Sequence, residues 1–403
     1  DRVIRMVLKK QRPGYLLLSP DVAKLPIYRP TTQLKDSEED ITSQDALADF
    51  KKELSSYIEG KATTLIADLM VHRLGLQNQL KALIADTQIP FATLSWGKTL
   101  LDEHSDRWAG VYVGEPSQPT VKDAVENAEC LIKLGVNYTD TTTSGFTQNI
   151  DSSKAVDIHQ ERATVGDKIF APIAMKDALQ ALHEVLTSGI EVVAKPLIAP
   201  VDVHQQQGDD DEALLQKDLW HIVADCLDGN NLVFAEQGTA YFGMSEVRLP
   251  EGVTFYGQPL WGSIGYTLPA SLGAGIASPH KRSVLLIGDG SALLTIQDLA
   301  VMIREKLNPV ILLINNAGYT VERAIHGEEE LYNDIPMCDW QVMPKAFGAT
   351  EDNCLTLKAS TPAELKSALS QGHDAKDKMV FIEVITGVMD VPPLLQDVAA
   401  SLK

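Results

Sequence analysis

Residues 284–327, VLLIGDGSALLTIQDLAVMIREKLNPVILLINNAGYTVERAIHG, limit the fold more than any other stretch of the chain. Residues 283–287 and 309–314 are continuous apolar runs, of the kind that a parallel sheet buries on both faces. Between them apolar residues recur at 292, 296, 299, 303 and 307, a helical period over 291–306. The unit therefore reads as strand–helix–strand with a right-handed crossover. Parallel strands of one sheet end at the same edge. Asp289, just after the first, and Asn316, just after the second, should approach each other where open α/β sheets take their ligands.

Both residues offer hard oxygen donors, and no Cys or His stands beside them in sequence, so zinc, copper and nickel are poor candidates. Mg²⁺ takes one or two protein oxygens and completes its octahedron with phosphate oxygens and water. Gly290 allows close backbone approach, and Ser291 starts a helix whose free N–H groups favour an anion. Taken together, these residues suggest Mg²⁺ bridging the protein to a diphosphate. Taken singly, Gly-Asp-Gly and Asn-Asn-Ala-Gly also read as plain turns. The chain has no GxxxxGK[ST], which disfavours a P-loop nucleotide site.

At 403 residues, 44% hydrophobic and 22% charged, the chain has material for two or three globular units. A net charge of −20 argues against nucleic acid or an anionic membrane surface as partner. Cys130, Cys226, Cys338 and Cys354 form no CxxC pair, so neither a disulfide scaffold nor a zinc site is expected and a reducing compartment fits. No run approaches 18 apolar residues, and the first residues lack the apolar core of a signal peptide. The expected location is the cytoplasm.

The chain opens with a helical pattern over 2–10, a turn at Pro13-Gly14 and a short strand over 15–18. These elements cannot bury their apolar faces alone, so residues 1–29 read as the end of a domain. A polar linker, 30–45, follows. From 46 to 188 helical segments (DFKKELSSYI, LQNQLKALIADT, VKDAVENAE) alternate with extended ones (ATTLIAD, FATLS, CLIKLG, KAVDIHQ), the pattern of a parallel α/β unit. A second linker, 189–210, leads to a helix over about 212–226, with Asp209, Asp210 and Asp211 as its N-terminal complement. The last unit, 211–403, contains the strand–helix–strand segment. The expected fold class is α/β, with two doubly wound parallel sheets and a short remnant of a third domain.

The GDGS-to-NN segment resembles the thiamin-diphosphate motif of pyruvate decarboxylase, indolepyruvate and phenylpyruvate decarboxylases, acetolactate synthase and their relatives. GYTVERAIHG and LWGSIGYTLPASLGAG resemble the 2-oxo acid decarboxylase branch, and LGVNYTDTTTSGFTQNI its indolepyruvate subgroup. The resemblance implies that Asp289, Asn316 and the Gly318 carbonyl bind Mg²⁺, with Gly290 and Ser291 at the diphosphate. It implies that Gly238 and Thr239 of FAEQGTAYFG contact the cofactor, as do Gly262, Ser263 and Ile264 of QPLWGSIG. Ile264 would prop thiamin diphosphate in its bent form. Glu322 would face the reacting carbon and move protons from an apolar cleft, with a raised pKa. Val321 would lie against the cofactor, and Gln237, Tyr241 and Ile325 would line the substrate pocket. His326 would be structural.

The implied activity is non-oxidative decarboxylation of a 2-oxo acid, indolepyruvate or phenylpyruvate, by a homodimer or homotetramer with the cofactor at the subunit interface. The alternatives are pyruvate as substrate, a carboligase, and a truncated, non-catalytic cofactor-binding chain. The family also has a pyrimidine-binding domain ahead of the segment matched here, bearing a glutamate and a histidine pair. Those residues have no counterpart in this chain, so about 150 residues, one typical domain, are expected to be missing from it. On this reading residues 1–29 are that domain's end, and 1–403 alone should be inactive.

Overall fold

The computed structural model describes residues 1–34, 42–198 and 209–402. Of the expected linkers, 35–41 and 199–208 lie outside the described residues. The first sheet contains β1 (Ala62–Ala67), β2 (Phe91–Thr93), β3 (Trp108–Val111), β4 (Cys130–Leu134), β5 (Ala155–His159), β6 (Arg162–Val165), β7 (Lys168–Phe170) and β8 (Val193–Ala194). Their order is β3-β2-β1-β4-β5-β6-β7, with β8 beside β1. The second sheet contains β9 (Asn231–Ala235), β10 (Thr254–Tyr256), β11 (Arg282–Gly288), β12 (Val310–Asn315), β13 (Cys354–Ala359) and β14 (Met379–Ile385), in the order β10-β9-β11-β12-β14-β13. Both are doubly wound α/β sheets: the chain builds outward on one side, then returns to build on the other. The switch falls between β1 and β4 in the first sheet and between β9 and β11 in the second.

Alternation of side chains explains why the strand sequences are apolar throughout. In β11, Val284 and Leu286 enter the core on one face, while Leu285 and Ile287 enter the core on the other. β11 and β12 pair in parallel with Gly288 opposite Ile314, so Asp289 and Asn316 emerge at one edge.

Several local expectations change. Residues 15–18 form no strand, and their apolar side chains are exposed. The first sheet is parallel only as far as β5; β6 and β7 add an antiparallel edge through the tight return at Gln160-Glu161. The helix over 291–306 is two short helices, Asp289–Ala292 and Asp298–Arg304. Between them the chain turns in, and the Thr295 hydroxyl donates to the Gly265 carbonyl at 2.9 Å. The run of aspartates does not cap the helix that follows it, which begins only at Gln216. Asp210 instead meets the helix Pro362–Asp374, accepting from Ala363 N–H through its carbonyl and from Lys366 Nζ at 2.7 Å through its carboxylate.

Polar ties join the two sheet units. Tyr241 Oη bonds Ser95 Oγ at 2.8 Å, and the Trp96 indole donates to the Gly257 carbonyl at 3.1 Å. Lys98, buried with Glu103 at 2.8 Å, also donates to the Val247 carbonyl. The C-terminal helix Pro393–Leu402 packs on the helices Thr239–Glu246 and Thr320–His326. Its Leu394, Leu395 and Val398 form an apolar cluster with Val113 and Phe242. Among the described residues no helix is long and apolar enough to cross a membrane.

Candidate functional site

A cleft of about 390 Å³ opens at the switch point of the second sheet. Glu236, Gln237, Gly238 and Thr239 wall it after β9, Asp289, Gly290 and Ser291 after β11, and Asn316, Gly318, Val321 and Glu322 after β12; Ile264 lines it too.

Asp289 is buried at the floor. Its Oδ1 accepts from Gly290 N–H at 2.7 Å and its Oδ2 from Gly318 N–H at 3.1 Å. Burial pushes its carboxyl up to about 6, against the pull of these N–H groups, that of Ala317, and the Arg323 guanidinium. Asn316 is buried too, and among the described residues its Oδ1 has no hydrogen-bond partner. An orphaned buried acceptor costs about 1–3 kcal/mol, so a cation in this corner would relieve it. Gly318 has φ +126°, and a Cβ there would stand 2.2 Å from the Asn333 carbonyl. Only glycine fits, and its backbone stays in the corner with Asp289. Among the described residues no three His, Cys, Asp or Glu side chains cluster as a metal cage. A carboxylate, an amide oxygen and a backbone carbonyl are the available donors, and they suit a hard ion such as Mg²⁺.

Two details depart from expectation. The close approach at Gly290 comes from the Tyr319 ring, since a Cβ on Gly290 would lie 2.4 Å from Tyr319 Cε1. The helix containing Ser291 has only four residues, too short to carry much of a macrodipole, so any anion there would rely on single N–H groups and the Ser291 hydroxyl.

Glu322, on the helix Thr320–His326, stands at the mouth of the cleft. Its side chain is 42% exposed and lies 3.4 Å from exposed His326 Nε2, one helical turn on. The described residues thus enclose it only in part. Gly262 and Ser263 lie in the turn that presents Ile264 but do not line the cleft. Tyr241 and Ile325 are corrections. Tyr241 is fully buried, points into the contact with Ser95 and packs against Phe255, so it does not reach the cleft. Ile325 faces the apolar cluster under the C-terminal helix instead of the cleft.

Sequence reasoning missed Glu236, whose buried carboxylate lines the cleft, along with Tyr319 and Tyr332. The signal for Glu236 was an acidic residue directly after a buried strand, the same signal that marked Asp289. Arg323 was also missed. It is buried below the corner, donating to the Ala317 carbonyl at 3.2 Å and to Asp334 at 2.7 Å.

Comparison with known proteins bears on this geometry. Residues 237–384 match the family model "Thiamine pyrophosphate enzyme, C-terminal TPP binding domain". Residues 58–185 match "Thiamine pyrophosphate enzyme, central domain". The alpha-keto-acid decarboxylase of Mycobacterium ulcerans is 46% identical over 404 residues, covering 100% of this chain and 70% of that protein. That of Mycobacterium tuberculosis (strain H37Rv) is 45% identical, covering 100% and 71%. That of Mycolicibacterium paratuberculosis is 46% identical over 398 residues, covering 98% and 70%. With both models falling on the two sheets and likeness of this order along its whole length, the chain belongs to the thiamine pyrophosphate-dependent alpha-keto-acid (2-oxo acid) decarboxylase family.

Proposed function

We propose that the cleft serves the conversion of an aromatic 2-oxo acid, indolepyruvate or phenylpyruvate, to an aldehyde and CO₂, with Mg²⁺ holding the diphosphate of the cofactor. The observation that carries this reading is the meeting in one cleft of Asp289, Asn316 with its unpartnered Oδ1, the Gly318 backbone and Glu322. When bound, thiamin diphosphate would supply a nucleophilic thiazolium carbon and an electron sink for the loss of CO₂. Asp289, Asn316 and Gly318 hold the metal, and Gly290 and Ser291 meet the diphosphate. Gly238, Thr239, Val321 and Ile264 would contact the cofactor, with Gly262 and Ser263 shaping the turn that presents Ile264. Glu322 would pass a proton to the reacting carbon, where it stays as the aldehyde C–H, and Gln237 borders the substrate.

The withdrawal of Tyr241 from the cleft leaves room that supports an aryl group over pyruvate, the alternative substrate. Ile264 and Tyr332 at the cleft are exposed, as are Leu260 and Trp261 (81%), which precede Ile264 in the same segment. This supports a partner subunit covering it in a homodimer or homotetramer. We also assign residues 46–188 and 211–403 as the two α/β domains and the cytoplasm as the location. The test is competition between indolepyruvate, phenylpyruvate and pyruvate on the full-length enzyme with Mg²⁺ and thiamin diphosphate. A higher kcat/KM for pyruvate overturns the aromatic assignment, and absence of CO₂ release from all three overturns the activity.

A further inference from the structure

Glu236 follows β9 at the switch point, with only 1% of its surface exposed. Among the described residues its hydrogen bonds come from N–H groups and one hydroxyl. Oε1 accepts from Gln237 N–H at 2.9 Å. Oε2 accepts from Gly265 N–H at 3.0 Å, Thr267 N–H at 3.3 Å and Thr267 Oγ1 at 2.8 Å. One carboxylate thus gathers three pieces of chain: the loop Gln237-Gly238-Thr239, the turn that presents Ile264, and the first turn of the helix Thr267–Ala277. An apolar residue here would strand the Gly265 and Gln237 N–H groups away from water. The turn is braced elsewhere as well. Gln258 Oε1 accepts from Ser263 N–H at 3.1 Å, and the Gly265 carbonyl accepts from Thr295. Ile264 and the Gly238 loop both line the cleft, and the Glu236 side chain bonds the backbone beside each.

We infer that Glu236 is a positioning residue for the decarboxylation, fixing the Ile264 turn against the Gln237-Gly238-Thr239 loop and so setting the width of the cleft where the thiazolium end of the cofactor is held. This rests on the reading of Ile264 as the cofactor's brace. The diphosphate corner, on β11 and β12, is built without Glu236, so cofactor anchoring and cofactor geometry should separate.

The experiment uses Glu236→Gln, Thr267→Val and Ile264→Ala in the full-length enzyme. Glutamine keeps the size of the side chain but turns an NH₂ toward N–H groups that need an acceptor. In cofactor-free protein, Glu236→Gln should speed hydrogen exchange at the Gly265 and Thr267 amides. Thiamin diphosphate and Mg²⁺ affinities should stay within about threefold of wild type, while kcat falls about 10- to 100-fold with little change in KM. Thr267→Val should move the same readouts the same way by less. Ordinary kcat in both Glu236→Gln and Thr267→Val overturns the proposal, as does a fall in melting temperature or cofactor affinity with kcat unchanged. Should Glu236→Gln fail to fold, Thr267→Val decides. If Ile264→Ala itself turns over normally, the bracing role of Ile264 fails; if Ile264→Ala is impaired while the other two are not, only the role of Glu236 fails.

Discussion

Asp68 and Asp289 occupy corresponding places, each directly after a buried parallel strand at the switch point of its sheet, β1 in the first and β11 in the second. Their sequence contexts are close, TLIAD over 64–68 and LLIGD over 285–289. Burial raises both carboxyls, Asp68 to about 7 and Asp289 to about 6. Asp68 is closed over. Its Oδ2 accepts from Asn137 N–H at 3.1 Å, and among the described residues its Oδ1 has no well-aligned partner. The turn Ser95–Gly97 sits on it so tightly that a Cβ on Gly97 would stand 2.6 Å from the Ala67 carbonyl and 3.0 Å from Asp68 Cα. The second sheet unit then seals that turn through Tyr241. Asp289, by contrast, opens on a cleft of about 390 Å³. A carboxylate at a strand end is thus a position, and neighbouring packing decides whether it is a site.

The strongest way to break this comparison is to remove each carboxylate in turn. Asp289→Ala loses a charge and a hard donor from the corner it shares with Asn316 and the Gly318 backbone, and should abolish retention of thiamin diphosphate. Asp68→Asn should bind it normally. Equilibrium binding by protein fluorescence measures both, and equal affinities in the two variants would mean that the open edge is not the cofactor's. Next in size is Glu322→Gln. It keeps the shape of the helix and touches no metal donor, so cofactor affinity should hold while kcat falls about 100- to 1000-fold, within the range for loss of a general acid–base. Steady-state kinetics with CO₂ detection gives the answer, and ordinary turnover would remove Glu322 from the chemistry.

Much of the second sheet was legible because its signals are local. Continuous apolar runs give buried strands, parallel pairing puts their ends together, and so Asp289 and Asn316 could be expected in one corner, while Gly318 was implied only by the family resemblance. The residues misjudged depend on long-range packing. Tyr241 reads as a site residue from its nearness to Gly238 in sequence, but Ser95, 146 positions earlier, captures its hydroxyl. Ile325 follows Glu322 on one helix, and only the C-terminal helix decides that its face is turned away. Glu236 went unnoticed because its partners, Gly265 and Thr267, come from a different turn. The antiparallel edge of β6 and β7 is short and was hidden among polar residues.

The Asp68 side of the comparison makes a pH prediction. Folded, the group keeps its proton up to about pH 7; unfolded, it loses it near the ordinary value of 3.8. Stability should therefore fall as pH rises from about 4 to 7, with the full cost present above that window. Asp68→Asn removes the ionisation while its side-chain oxygen can still accept from Asn137 N–H. It should stabilise the protein by about 2–4 kcal/mol at pH 8 and by almost nothing at pH 4. Urea denaturation at the two pH values checks this. A variant less stable than wild type at pH 8 would mean that ionised Asp68 is satisfied where it stands.

The smallest expected effect concerns the seal itself. Tyr241→Phe deletes one hydroxyl, leaving the ring in its contact with Phe255 and leaving Ser95 Oγ without its partner. A buried hydrogen bond of this kind is worth about 1 kcal/mol, so unfolding should shift by that amount. Because the hydroxyl lies in the contact between the two sheet units and away from the cleft, the ratio of kcat/KM for indolepyruvate to that for pyruvate should stay the same. Ser95→Ala should cost about as much, and the double variant little more than either single one, since all three lose the same bond. A changed substrate ratio in Tyr241→Phe with unchanged stability would return Tyr241 to the substrate pocket. It would also mean that the edge above Asp68 is closed by something other than this contact.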